Sequence, residues 1–376
     1  MKDTGIYIHI PFCLSKCLYC DFTSFRGRDG MYESYKNALL KEIRNTPLLE
    51  EYLIKSIFIG GGTPTVLPPR FISEIMEELS KLHIADDAEI TIEANPKTLN
   101  MDYLRVLKFS GINRLSMGLQ STDNTVLKKI GRIHKYEDFL INYNDALKAG
   151  FHNISADIMF GLPGQDIEGF SNTVETVSKL GLRHISAYSL IIEEGTPFFD
   201  LYEEGKLDLP EESEERKMYY LLIDTLSSKD YIHYEISNFS KKGFESQHNI
   251  RYWERGEYFG FGLSAHSLVE NVRYENTEDL SFYIENSSNL KNIRTNSHEI
   301  SEKEAMEEFM FLGLRLIKGV GVEKFKRIFG KDIFSVYYKP IHDNIKKGLL
   351  MYEANRIFLT AKGLDLSNMV MADFLF

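Results

Sequence analysis

Three cysteines and one tryptophan are all that 376 residues contain, basic side chains are outnumbered, and no long apolar run occurs. Lys and Arg number 44 against 55 Asp and Glu, a formal charge of -11 with a pI near 5.5. That balance excludes a protein whose affinity for nucleic acid rests on cations at phosphates. No window reaches the roughly 18 consecutive apolar residues of a membrane span. A basic segment followed by an apolar core is missing at the start, so no secretory signal is expected. So few cysteines, odd in number and without a signal, favour reduced thiols and a cytoplasmic location over a disulfide framework. The hydrophobic share of 43% beside 26% charged residues is that of an ordinary globular chain, long enough for one large domain and a smaller one.

What is present is concentrated. All three cysteines fall in Cys13-x3-Cys17-x2-Cys20. Cysteines used for packing would be scattered. Iron–sulfur clusters are normally held by four thiolates, so three leave one iron open to a ligand that is not protein. Structural zinc takes Cys pairs matched by pairs elsewhere, and no second pair exists. His9 offers a fourth ligand, but from mid-strand.

Around this loop the pattern alternates. Segments 4–10, 54–59, 88–93, 113–118, 153–159 and 183–191 read as strands, and Pro11 ends the first because it cannot donate to a ladder. Helical periods fill 31–45, 69–82, 100–110, 123–130, 136–149 and 166–180. Such alternation predicts a parallel sheet, and polar or Gly-rich residues recur after strands, where parallel barrels carry their active sites. Six units are too few for an eight-fold barrel, so the expected fold is α/β, a partial, open, TIM-like (β/α)6 barrel. Beyond it the sequence predicts a charged helix at 210–229, a strand at 231–237 extending the sheet antiparallel, and an aromatic- and glycine-rich loop over 238–268. A polar linker follows over 286–298. Then come a helix at 301–317 with a Ser301–Glu304 capping box, a helix near 322–329, and a strand-turn-helix at 356–375. The domains are therefore expected at 1–285 and 299–376, the second small and helical or winged-helix-like.

Gly60-Gly61-Gly62-Thr63-Pro64 closes the second strand, and glycines there let backbone approach a ligand without a Cβ in the way. Glu93, Gln120 and Asp157 mark later strands, and Arg132 follows in Ile130-Gly-Arg-Ile. Singly, each reads as a satisfied polar residue or a solvated charge. Their recurrence at successive strands points to one shared ligand.

With its cysteine spacing the chain resembles the radical S-adenosylmethionine (SAM) family. The resemblance implies a [4Fe–4S] cluster on Cys13, Cys17 and Cys20, with the amino and carboxylate groups of SAM on the fourth iron. It further implies Tyr7, Gly61, Gly62, Thr63, Glu93, Gln120, Arg132, Asp157 and, through its backbone, Ile191 around SAM. His9-Ile-Pro-Phe-Cys, Ser116-Met-Gly-Leu-Gln-Ser, Asp157-Ile-Met-Phe-Gly-Leu-Pro-Gly-Gln and Glu194-Gly-Thr-Pro are similar to motifs of the oxygen-independent coproporphyrinogen III oxidase group. The oxidases of that group carry a further cysteine two positions after the third, here Phe22, and an N-terminal extension before the cysteines. Both departures argue against decarboxylation and match the group's heme-chaperone branch. His248-Asn249-x-x-Tyr252-Trp253 marks that branch. Imidazole is a common axial ligand of heme iron, and aromatic rings pack on porphyrin faces. Without the resemblance these residues fit better a loop histidine beside two core aromatics. With it, heme is expected on His248, and His266 ranks second. The implied partners are heme, heme-accepting proteins among the membrane respiratory enzymes, met at the membrane's inner face, and a second copy in a homodimer. The rival activity is SAM-dependent decarboxylation of coproporphyrinogen III.

Overall fold

Isoleucines alternate with Tyr7 and His9 along β1 (Lys2–Ile10), and the strand stops where Pro11 begins. In the computed structural model, which describes residues 1–375, Ile6, Ile8 and Ile10 are fully buried in the main core with Tyr35 and Leu39 of α1 (Tyr32–Asn45). The period of two turns Tyr7 and His9 to the opposite face of the sheet. That alternation separates an apolar outer layer from a polar interior.

The pattern repeats through β2 (Tyr52–Gly61), β3 (Ile84–Ala94), β4 (Arg114–Gln120), β5 (Asn153–Phe160) and β6 (His184–Ser189), which lie side by side in chain order, all parallel. Between them run α2 (Pro69–Leu79), α3 (Met101–Phe109), α4 (Asn124–Lys129), α5 (Tyr136–Lys148) and α6 (Ile167–Ser178). The predicted βα units are therefore present. The sixth strand ends at Ser189, so Ile191 lies in the loop beyond it. Then come α7 (Pro197–Glu203) and α8 (Glu212–Ser227).

The sheet is twelve-stranded and open at both edges. At one edge β7 (Ile232–Glu235) and β8 (Asn238–Ser240) form a hairpin, and it is β8 that pairs antiparallel with β6. The predicted strand at 231–237 is thus the outermost, because buried Asn238–Ser240 takes the inner place. At the other edge β9 (Tyr258–Phe261) runs parallel to β1, followed by antiparallel β10 (His266–Val269), β11 (Val272–Asn276) and β12 (Arg294–Glu299). The expected loop at 238–268 accordingly contains β8, α9 (Gln247–Trp253), β9 and the start of β10. The expected linker over 286–298 is structured too: a short helix, Leu290–Ile293, buries Ile293 and leads into β12. β12 reads as polar because it is an edge strand left almost wholly to solvent.

A second core gathers Phe309, Phe325, Ile333, Tyr337, Ile357 and Phe374. Its first helix, Glu302–Gly313, has the predicted Ser301–Glu304 capping box. A helix at Ile333–Lys346 was not anticipated; it is kinked at Tyr337 and contains Pro340, which breaks its period. Glu308, 6% exposed, ties this part to the sheet through Arg255 at 2.7 Å and Arg273 at 2.9 Å. No helix among the described residues is long and apolar enough to cross a membrane.

One buried carboxylate fastens the β9 side of the sheet to α1. Glu42 accepts hydrogen bonds from the Tyr283 hydroxyl (2.5 Å), Asn276 Nδ2 (2.7 Å) and the Gly262 amide (2.9 Å). Gly262 has φ +99°, and a Cβ there would lie 2.6 Å from both His9 O and Tyr35 Oη. The glycine-rich turn is thereby explained by packing. Burial pushes the Glu42 carboxyl up to about 7 against these donors. Between its ordinary value and 7 the folded protein holds a proton that the unfolded chain releases, so stability falls as pH rises through that window. The shift corresponds to roughly 3 kcal/mol at most. Melting temperatures taken from pH 5 to 8 are expected to decline, and Glu42→Gln to flatten the decline. An unaltered slope would remove Glu42 as its source.

Candidate cluster and cofactor site

The cysteine loop is closed at its neck by two backbone hydrogen bonds, Cys13 N to Phe25 O (2.9 Å) and Phe25 N to Pro11 O (2.8 Å). Inside it Cys20 N donates to Cys17 O at 3.2 Å, making a tight turn between the two thiols. Leu18 anchors the loop outward, donating to Ile130 O past α4 and accepting from Phe198 N of α7. On its inner side lies the glycine turn: Gly62 N donates to Ile10 O (2.9 Å) and Thr63 N to Phe12 O (2.8 Å). The approach is so close that a Cβ on Gly62 would sit 2.6 Å from Phe12 O and 3.0 Å from Cys13 Sγ. Gly61 has φ +109°, and a Cβ there would meet the His9 ring at 2.7 Å.

Burial pushes the Cys13 thiol up, and the Cys20 thiol up to about 11. Iron must therefore displace protons on binding. Arg132 brings a positive charge to the loop, with Nη1 3.4 Å from Cys17 Sγ. Its guanidinium is held by Asn95 Oδ1 and Gly118 O, both at 2.6 Å. Three His, Cys, Asp or Glu side chains converging on a single ion are not found among the described residues. A cubane cluster asks for something else, one iron per thiolate, and that is what this loop offers.

All three cysteines face a cavity of about 440 Å³ that reaches from the C-terminal ends of the strands down to Arg114 at the start of β4. Gly61, Gly62, Thr63, Glu93, Gln120, Arg132, Asp157 and Ile191 line the same cavity. Tyr7 does not line it; its hydroxyl meets His9 Nδ1 at 2.9 Å. A register shift between Gly118 and Gln120 bulges β4 and leaves Gln120 at φ +69°, a left-handed conformation rare for such a residue. Glu93 accepts from Gly61 N at 3.2 Å and is pushed up to about 8 by burial and then by the Asp157 charge. Asp157 is raised by burial too, while Ser116 donates to it at 3.2 Å. Ile191 is 66% exposed at the mouth, as is Phe22 at 62%. The walls also include Phe58, Asn95, Arg114 and Tyr188, which sequence reasoning missed, and Asn249, which the sequence places in the histidine motif and not at this cavity. For Asn95 the one signal in the sequence is Asn95-Pro96 directly after the third strand, a pair that marks a turn.

His248 does not line the cavity, although its neighbour Asn249 and the Phe58 ring it stacks on do. It is in α9, capped by Ser246, whose first amides at Gln247 and His248 donate to the Glu89 carboxylate at 3.3 and 3.2 Å. The ring is 1% exposed and stacks on Phe58 with centroids 5.3 Å apart. Its Nδ1 meets Ser56 Oγ at 2.9 Å and its Nε2 meets the Tyr252 hydroxyl at 2.8 Å. Burial lowers its pKa to about 3, so the ring is neutral. Trp253 is covered by the Arg315 guanidinium at 4.3 Å from the ring centroid. The motif thus forms no open aromatic face in this conformation; it closes the N-terminal end of the strands. His266 begins β10, half-exposed, 3.2 Å from the Glu275 carboxylate.

Comparison with known proteins places the chain. It is 38% identical over 372 residues to the heme chaperone HemW of Bacillus subtilis (strain 168), covering 98% of each chain. The chain belongs to the HemW family. A second HemW, from Lactococcus lactis subsp. lactis (strain IL1403), is 38% identical over 375 residues, covering 100% of this chain and 98% of the other. The radical SAM superfamily model matches residues 7–177, and the HemN C-terminal domain model matches 300–366. The structure superimposes on coproporphyrinogen III oxidase (HemN) from Escherichia coli with a TM-score of 0.86, covering 100% of this chain and 90% of that one, at 24% identity. That last likeness shows a shared fold. Membership of the radical SAM superfamily implies a [4Fe–4S] cluster and SAM for this HemW family member. The residues present fit both: three thiols on one closed loop beside a glycine turn without side chains, and acidic and amide groups suited to an ammonium and a ribose diol.

Proposed function

We propose that this chain is a radical SAM-type heme chaperone: it binds heme and delivers it to acceptor hemoproteins. End-to-end similarity to curated HemW proteins carries the reading. At residue level it is supported by Phe22, exposed at the cavity mouth where the oxidase group has a further cysteine. In this reading Cys13, Cys17 and Cys20 hold the cluster. Gly61, Gly62 and Thr63 meet the amino group of SAM, with Tyr7 close by, and Glu93, Gln120, Arg132, Asp157 and Ile191 complete its surroundings. The acceptors are respiratory enzymes met at the inner face of the membrane, and the working state is a homodimer in the cytoplasm.

Heme ligation by His248 requires Tyr252 to release Nε2 and α9 to turn outward, since both ring nitrogens are engaged. Heme titration is expected to give a Soret band that shifts or weakens in His248→Ala. Tyr252→Phe frees Nε2 of one hydrogen bond and is expected to raise heme affinity about tenfold. A Soret band indifferent to both changes would remove His248 as ligand. Coproporphyrinogen consumption with SAM, heme being ignored, would overturn the chaperone reading itself.

A further inference from the structure

Arg114 opens β4, and its side chain, 2% exposed, lies inside the sheet on the wall of the cavity. A buried guanidinium is costly unless its donors are satisfied. Here Nε has no hydrogen-bond partner among the described residues. Its ion-pair contact, with the Glu89 carboxylate, is long at 3.8 Å. Glu89 is engaged elsewhere, its two oxygens accepting from the first amides of α9. Asp157, across the interior, accepts from Ser116. A buried guanidinium with an unpaired Nε therefore borders a cavity that Ser116, Ser186 and Tyr188 also line.

We propose that the cavity on the inner face of the sheet is a binding site for a carboxylate arm, with Arg114 as its two-pronged anchor. Guanidinium and carboxylate match as parallel pairs of hydrogen bonds, and the match gains strength where water is excluded. The site lies below the rim where the cysteines, Gly61 and Gly62 meet SAM in the proposed function, so both ligands are held together. Two carboxyls, Glu93 and Asp157, share the cavity, and burial raises both, which weakens their opposition to an arriving anion. The arm belongs either to a small free acid or to a porphyrin propionate. The first does not depend on the heme reading; the second rests on it.

The test uses the anaerobically reconstituted, SAM-loaded protein and 3,3,3-trifluoropropionate, observed by fluorine NMR. The probe signal is expected to broaden with wild type, and affinity to fall at least about tenfold in Arg114→Gln. The neutral amide of the probe is expected to stay sharp. Arg114→Lys keeps the charge but loses the fork, so it is expected to bind more weakly than wild type even if Arg114→Gln fails to fold. No broadening, equal broadening in Arg114→Lys, or broadening abolished by SAM would overturn the proposal. Heme and its dimethyl ester then separate the two sources. A preference for the free acid that disappears in the Arg114 variants assigns the arm to a propionate. Equal affinities confine the site to small acids without touching the chaperone reading.

Discussion

Cys17→Ala protein, reconstituted anaerobically with iron and sulfide, is expected to hold close to none of the roughly four irons per chain that wild type takes up. The loop offers three thiols and no spare. In the proposed function the fourth iron is left to SAM, so a lost thiolate has no protein ligand to replace it. Nor can the loop rearrange readily, because its neck is closed at Cys13 and Phe25 and its middle is pinned through Leu18. Arg132, which donates to Cys17 Sγ in the intact protein, would then face a cavity wall with one partner fewer. Iron and sulfide assays with visible absorption give the answer. Wild-type protein that takes up a single zinc instead would end the cluster assignment, and full iron content in Cys17→Ala would show that Cys17 is not a ligand.

Gly62→Ala is expected to be the most damaging single methyl in the site. The added Cβ would lie 2.6 Å from a backbone oxygen, that of Phe12, which has no flexible side chain to yield. Either the glycine turn or the cysteine loop must move, breaking the bonds from Gly62 N and Thr63 N that hold them together. Overpacking of this kind costs about 1–3 kcal/mol. The loss is expected to show as a lower melting temperature and as SAM affinity reduced by at least about tenfold, the same energy read at the ligand. Gly30→Ala is the control, since nothing lies within 4 Å of a Cβ there and its φ is not in the left-handed region. Equal behaviour of the two variants in SAM binding would deny the turn its role.

Much of the architecture was legible because it rests on short-range periodicity. Alternating isoleucines make β1, the helical periods between strands make the outer layer, and Pro11 ends the first strand at the point where the cysteines begin. The strand-end residues were legible for the same reason: a parallel sheet brings successive C-terminal ends to one rim, so Gly61, Glu93, Gln120 and Asp157 meet whatever the loops do. Segments whose character depends on what lies opposite them were harder. β12 is polar on both faces because it is an outer edge, and it therefore reads as a linker. α9 has seven residues, too few for a helical period, and its start is defined by the Glu89 carboxylate, more than 150 positions earlier.

By itself, then, the sequence determined the clustering of three cysteines on one loop, the parallel α/β order and the kinship with SAM-binding proteins, since each follows from spacing along one stretch of chain. Only the tertiary structure decided the fate of the isolated polar residues. It buried His248 between Ser56, Phe58 and Tyr252, whereas the motif alone fitted a loop histidine and only the resemblance made it a heme ligand. It left Arg114 on the inner wall with Glu89 already committed to a helix terminus. A side chain's charge is written in the sequence, but whether that charge is answered depends on groups that folding alone brings near.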